Sequence, residues 1–183
     1  MSDLTELFTA DEIARRVKAL GGEIHADAAA NAGAGGVFLL GILKGAAVFL
    51  ADLLRAIPGD VSYGFIDVVR DFSDTETAAA VEIDYISHID IAGRNVYVIK
   101  DVVSTGVIEN YLLMQLRMHS PATLQLVALI DRPSHRTVDL KTDYRAFEPA
   151  EGDGAFAGYG LEIDGRLGNL PYIGRINPAA ARP

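Results

Sequence analysis

Apolar positions in this chain follow two rhythms. After Thr9, the residues Ile13, Val17, Leu20 and Ile24 recur at spacings of four, three and four, which lines one face of a helix. Thr9 and Glu12 start it in a capping-box pattern, with Thr9 as N-cap. The run NAGAGG (31–36) then breaks the chain. Val37-Phe38-Leu39-Leu40 reads as a buried strand, and Ala46 to Ile57 as a helix stopped by Pro58-Gly59. A strand is predicted over 61–69 and a returning one over 81–85. Between them RDFSDTETAA (70–79) is polar and aperiodic, an exposed connection. Strand 95–99, helix 107–119 and strand 123–130 form a unit of the length a parallel crossover needs. Residues 148–160 are rich in Gly and acid and read as loop until their end. This alternation predicts an α/β fold, one domain over 1–183, with a mostly parallel central sheet and flanking helices.

The most informative stretch is NVYVIKDVVSTGVI (95–108). A buried strand ends at Lys100-Asp101, and the chain turns at Ser104-Thr105-Gly106 into a helix start. Successive backbone N–H groups in such a turn, with the helix dipole behind them, make an anion cradle. In open α/β sheets this is also where ligands bind.

Composition narrows the field. Half of the 183 residues are hydrophobic and 22% charged, ordinary for a soluble globular domain. Zero cysteines exclude disulfides and thiolate metal sites, and fit a cytoplasmic protein. The net charge of −9 argues against nucleic acid as a partner. The acidic N-terminus lacks the basic region of a signal peptide, and the apolar stretch 36–54 is interrupted by Lys44 and Asp52, so no membrane partner is expected.

Four segments together resemble the hypoxanthine–guanine branch of the type I phosphoribosyltransferases. VYVIKDVVSTG looks like that family's phosphoribosyl-diphosphate loop. GVFLLGILKGAAVFLADLL (36–54) resembles its early strand, Leu-Lys-Gly loop and following helix. ALIDRPSHR (128–136) resembles the segment carrying the purine-reading lysine. GYGLEIDGRLGNLPYIGRI (158–176) resembles the C-terminal pocket strand and tail. The resemblance implies a small hood built from N- and C-terminal pieces and a homodimer or homotetramer, with the helix AAVFLADLL as a candidate contact face. It implies a reaction in which a base displaces diphosphate from phosphoribosyl diphosphate, with Mg2+ as cofactor. It also makes 70–79 a lid, where the residues alone favour a solvated hairpin connection.

The resemblance carries roles onto particular residues. Lys44 and Gly45 would bind diphosphate, the peptide before the lysine being often cis in the family. Asp101, Ser104, Thr105 and Gly106 would hold ribose and 5′-phosphate, with Asp101 and Ser104 at the catalytic positions. Arg132 would read the base in place of the lysine. Phe156 would stack on it, although strict alignment puts Ala155 there and Phe156 reads equally as core. Glu162 and Asp101 would face a metal. Arg70-Asp71 aligns with a Ser-Tyr pair of the mobile loop. His135 alone of the four histidines stands near this set, and reads by itself as a surface residue.

The departures fall on the chemistry. Lys100 replaces one member of an acidic pair. It would pair with Asp101, displace a metal, or face solvent by strand alternation. Ser104 stands where the family has the aspartate proposed as general base, and a serine hydroxyl near neutral pH is no base. Ile108 replaces a phosphate-binding threonine, and Gly168 an arginine. The expected function is a phosphoribosyltransferase acting on a purine-like or other heterocyclic base, with ordinary hypoxanthine or guanine salvage in doubt. The alternatives are a non-catalytic nucleotide-binding module and a different enzyme in the same cleft.

Overall fold

A computed structural model describes residues 4–31, 35–70, 81–84, 89–150, 152 and 154–176. Strand β1 (Leu4–Phe8) leads into helix α1 (Ala10–Ala30). Then come β2 (Val37–Ile42), α2 (Ala46–Ala56), β3 (Val61–Arg70), β4 (Val81–Asp84), β5 (Asn95–Val103), α3 (Val107–Arg117), β6 (Thr123–Asp131), a 3-10 turn (Pro133–His135), β7 (Tyr144–Phe147), β8 (Ala155–Ala157) and β9 (Ile173–Ile176). The capping box at α1 forms as the sequence predicts. Glu12 N–H donates to Thr9 Oγ1, and Thr9 N–H donates to the Glu12 carboxylate at 2.8 Å.

The central sheet runs β4-β3-β2-β5-β6-β7, parallel except where β4 returns against β3. Both faces are covered, and strand alternation divides the core between them. Leu39, Tyr97, Ile99, Val127 and Leu129 pack against α1 and α2. Phe38, Leu40, Val96, Val98, Leu126 and Ala128 pack against α3 on the other side. A second, antiparallel sheet, β1-β9-β8, joins the first strand to the last two, which is the hood that the resemblance implies. Phe8 of the hood stacks on Phe147 of β7 with ring centroids 4.0 Å apart.

Several details differ from the sequence expectations. Strand β5 runs on to Val103, because β6 pairs with it past the point where β2 stops. The short strands β1, β7 and β9 carry too little periodicity to be read from sequence. The helix AAVFLADLL does not present its apolar side outward. Ala46, Phe49, Leu50 and Leu53 are at most 1% exposed in the core, and only Val48 is open. The lid expectation at 71–79 lies outside the described residues, as does Asp71, and the strand expected to end at Tyr85 is described to Asp84.

Candidate active site

Sheet order places the site. From β2 the chain crosses through α2 to β3 on one side, while β5 crosses through α3 to β6 on the other. Connections therefore diverge between β2 and β5, and the crevice beyond these strand ends is the usual ligand position in such folds. The turn after β2 carries Lys44 and Gly45, and β5 ends in the 101–106 segment. The Leu43–Lys44 peptide is cis, as the resemblance implies.

The two loops touch. A Cβ on Gly45 would lie 1.9 Å from Asp101 Oδ2, so only glycine lets the turn close over that carboxylate. Backbone pairing explains the approach. The β2–β5 ladder ends at Gly41 and Ile99, which leaves the following β5 edge for the turn to cover. Lys44 is exposed at this edge.

Lys100 does not face solvent. Its Nζ pairs with Asp101 Oδ1, and the two side chains are only 19% and 20% exposed. Within their electrostatic reach is Glu109, in the first turn of α3 and 5% exposed. Burial pushes the Glu109 carboxyl above its ordinary range and Asp101 adds to the rise, while its own backbone N–H, Lys100 and Arg136 pull the other way.

Gly106 opens α3 at φ 80° and ψ 0°, a left-handed turn at the centre of the cradle. Its back is filled: a Cβ there would sit 2.9 Å from both Arg136 Cδ and Leu140 Cδ2. Arg136 holds the loop from behind. Its Nη1 donates to the Ser104 carbonyl at 2.5 Å, and its Nη2 reaches Asp131 Oδ1 and, at 3.0 Å, Thr142 Oγ1. Thr137 N–H donates to the Thr105 carbonyl at 3.1 Å. In a trans peptide the N–H opposes the C=O, so the held carbonyls aim the N–H groups of Thr105 and Gly106 away from Arg136 and Thr137, the orientation that a backbone anion nest needs.

Arg132 follows β6 on the same rim. It donates to the Gly152 carbonyl at 3.0 Å and contacts His135 Nε2, so His135 belongs to this group and not to the open surface. Its guanidinium carbon lies 5.7 Å from the Phe156 ring centroid, and that of Arg175 lies 5.3 Å from it. Phe156 is 8% exposed and packs with the core, whereas Ala155 beside it is exposed. Glu162 is exposed and leans over Gly168, where a Cβ would lie 2.9 Å from Glu162 Cγ. The longer acid thus fills space left by the missing side chain at 168.

Sequence reasoning overlooked Glu109 and Arg136. Glu109 had a legible signal, since it begins the spacing 109, 112, 113, 116 whose other members are buried leucines. Arg136 had none, because its targets lie 32 residues back and on either side of a turn.

The chain is similar to known proteins over most of its length. The phosphoribosyl transferase domain profile matches residues 3–164. The hypoxanthine-guanine phosphoribosyltransferase of Bacillus subtilis is 33% identical over 94% of this chain and 93% of its own. That of Mycobacterium avium is 35% identical, over 94% and 85%. A Staphylococcus aureus hypoxanthine phosphoribosyltransferase structure superimposes with a TM-score of 0.86 at 30% identity, covering 99% of this chain and 96% of that one. The Trypanosoma cruzi enzyme in complex with its product IMP gives 0.84 at 30% identity, covering 96% and 95%. A glycine-closed turn against Asp101, a nest opening α3 and a hood over the strand ends, matched along nearly the full length, make this chain a member of the type I phosphoribosyltransferases, a transferase of the hypoxanthine–guanine-like kind.

Proposed function

We propose that the chain joins a 6-oxopurine of the hypoxanthine or guanine kind to the phosphoribosyl group of phosphoribosyl diphosphate. The observation that carries this reading is the convergence of the Lys44-Gly45 turn, Asp101 and the 104–106 nest at one strand crevice, with Arg132 on its rim. The names of the relatives, and the bound IMP in one of them, favour ordinary purine salvage over a non-catalytic module or another chemistry in the cleft. They weigh against the doubt raised by Ser104 and Ile108.

In this reading a ring nitrogen of the base attacks C1′ as the bond from C1′ to the diphosphate oxygen breaks. The base then loses a ring proton. Lys44 and the backbone N–H groups of its turn receive the diphosphate, and the 104–106 nest receives the 5′-phosphate. Asp101 accepts from a ribose hydroxyl, and Arg132 donates to the 6-oxo group. With a serine at 104 the proton leaves to water rather than to a side chain.

Glu162 fits magnesium, which takes one or two carboxylates together with substrate phosphates and waters. Among the described residues no cluster of three or more His, Asp or Glu forms a ready-made cage, so the metal would arrive with the diphosphate. When bound it would neutralise charge on the leaving group. No helix of the described residues is long and apolar enough to cross a membrane. A cytoplasmic homodimer or homotetramer is the assembly this reading expects, and sedimentation velocity measures it.

The test is formation of inosine or guanosine monophosphate from phosphoribosyl diphosphate by the unaltered protein. Product from either base supports the reading. Turnover of some other heterocycle with neither purine accepted would overturn it.

A further inference from the structure

We propose that Lys100 is a built-in cation of this ligand site, supplying at Asp101 the positive charge that a divalent ion would bring, so that only the metal position at Glu162 remains. The inference rests on the phosphoribosyltransferase reading above and goes beyond it.

Asp101 Oδ1 carries the Lys100 ammonium, and Oδ2 lies against Gly45. The pair is four-fifths shielded from water, so this is no loose surface contact. An ion bound through Asp101 would have to sit beside an ammonium of the same sign, and partial burial screens that repulsion poorly. Glu109 of α3 is buried within electrostatic reach of Lys100, whose charge favours its ionised form against the effect of burial. Arg136 is engaged with Asp131 and the Ser104 carbonyl, and Lys100 is the cation paired with Asp101.

The ammonium suits the task. It is a compact charge with three donors on a flexible stem, so it can keep one donor on Asp101 and turn another to a ligand oxygen. Each carboxylate oxygen still has a lone pair for a ribose hydroxyl. Lys44, exposed across the crevice, supplies a second positive group to the same anionic ligand.

Calorimetry with phosphoribosyl diphosphate, in chelator and in magnesium, together with manganese counting by electron paramagnetic resonance, tests this. The unaltered protein is expected to bind in chelator within about tenfold of its affinity in magnesium and to hold one manganese per site at saturating ligand, since the ammonium replaces one charge-assisted contact. Lys100→Gln should lose roughly one to two decades of affinity in chelator, the worth of that contact, with no gain of metal. Lys100→Glu should bind the ligand only with metal and take up a second manganese. Two manganese ions in the unaltered protein, or undiminished chelator affinity in Lys100→Gln, would overturn the proposal while leaving the transferase reading standing. No binding of phosphoribosyl diphosphate under any metal condition would remove both. Lys100→Gln, neutral and of similar length, keeps the test decisive if Lys100→Glu fails to fold.

Discussion

At the scale of the residue, two positions of the β5–α3 segment bear directly on the proposed chemistry, Ser104 and Ile108. Ile108 sits in the first turn of α3 with no hydroxyl to offer the cradle, while Gly106 keeps the left-handed turn that shapes it. Ile108→Thr is therefore expected to tighten phosphoribosyl diphosphate by roughly one to two decades, the worth of one hydrogen bond to a charged group. Adding Ser104→Asp should raise kcat more than it lowers the dissociation constant, because it supplies a proton acceptor and no new anchor. Calorimetry and steady-state rates on both variants separate the two effects. Glu109 makes a different prediction. Its folded-state pKa lies above the ordinary 4.5, chiefly through burial and then through Asp101, against its own backbone N–H, Lys100 and Arg136. The folded chain then binds that proton more tightly than the unfolded chain, so stability falls as pH rises from 4.5 through the raised value. Glu109→Gln should remove this slope. Thermal melts should show the variant gaining on the parent across that window, and a constant difference would contradict the assignment.

At the scale of elements, the cradle is held by the segment that follows β6 and its 3-10 turn. Arg136, just past β6, ties the β5–α3 loop to Asp131 at the β6 terminus, and both side chains are well buried at 12% and 4% exposure. Removing the guanidinium strands a buried carboxylate, which typically costs about 3–5 kcal/mol. Arg136→Ala is expected to lose stability of that order in chemical denaturation. Arg136→Lys should recover part of it and still weaken phosphate binding, since an ammonium cannot span the Ser104 carbonyl and Asp131 as a planar fork does. An Arg136→Ala chain as stable as the parent would mean that the loop holds itself. The same dependence explains why Arg136 escaped the sequence reading. A helix face or a cap is written within a few residues, whereas this contact joins positions 104 and 136.

At the scale of the whole molecule, the hood must stay docked for the site to be covered. Tyr159 anchors it. Its phenol donates to Asp52 Oδ2 of α2 at 2.6 Å, and burial together with that carboxylate pushes the phenol well above its ordinary pKa. Tyr159→Phe should cost about 0.5–1.5 kcal/mol, one net hydrogen bond, moderated because Asp52 keeps Arg55 as a partner. Denaturant titration gives that value, and a cost near zero would mean that apolar packing alone holds the hood down.

The sequence by itself determined the layered α/β fold, the capped α1 and the strand–turn–helix that begins at Asn95. Those features depend on periodicity, caps and glycine turns, which act over a few residues. Tertiary structure decided the rest. It extended β5 to Val103 through pairing with β6, turned the apolar side of α2 inward, and formed β1, β7 and β9 only where neighbours could pair with them. It also decided that Lys100 meets Asp101 instead of water, that Glu109 lies buried within their electrostatic reach, and that Phe156 sits in the core near two guanidiniums. Charge, burial and proton affinity depend on distances between residues far apart in the chain, and only the folded arrangement sets those distances.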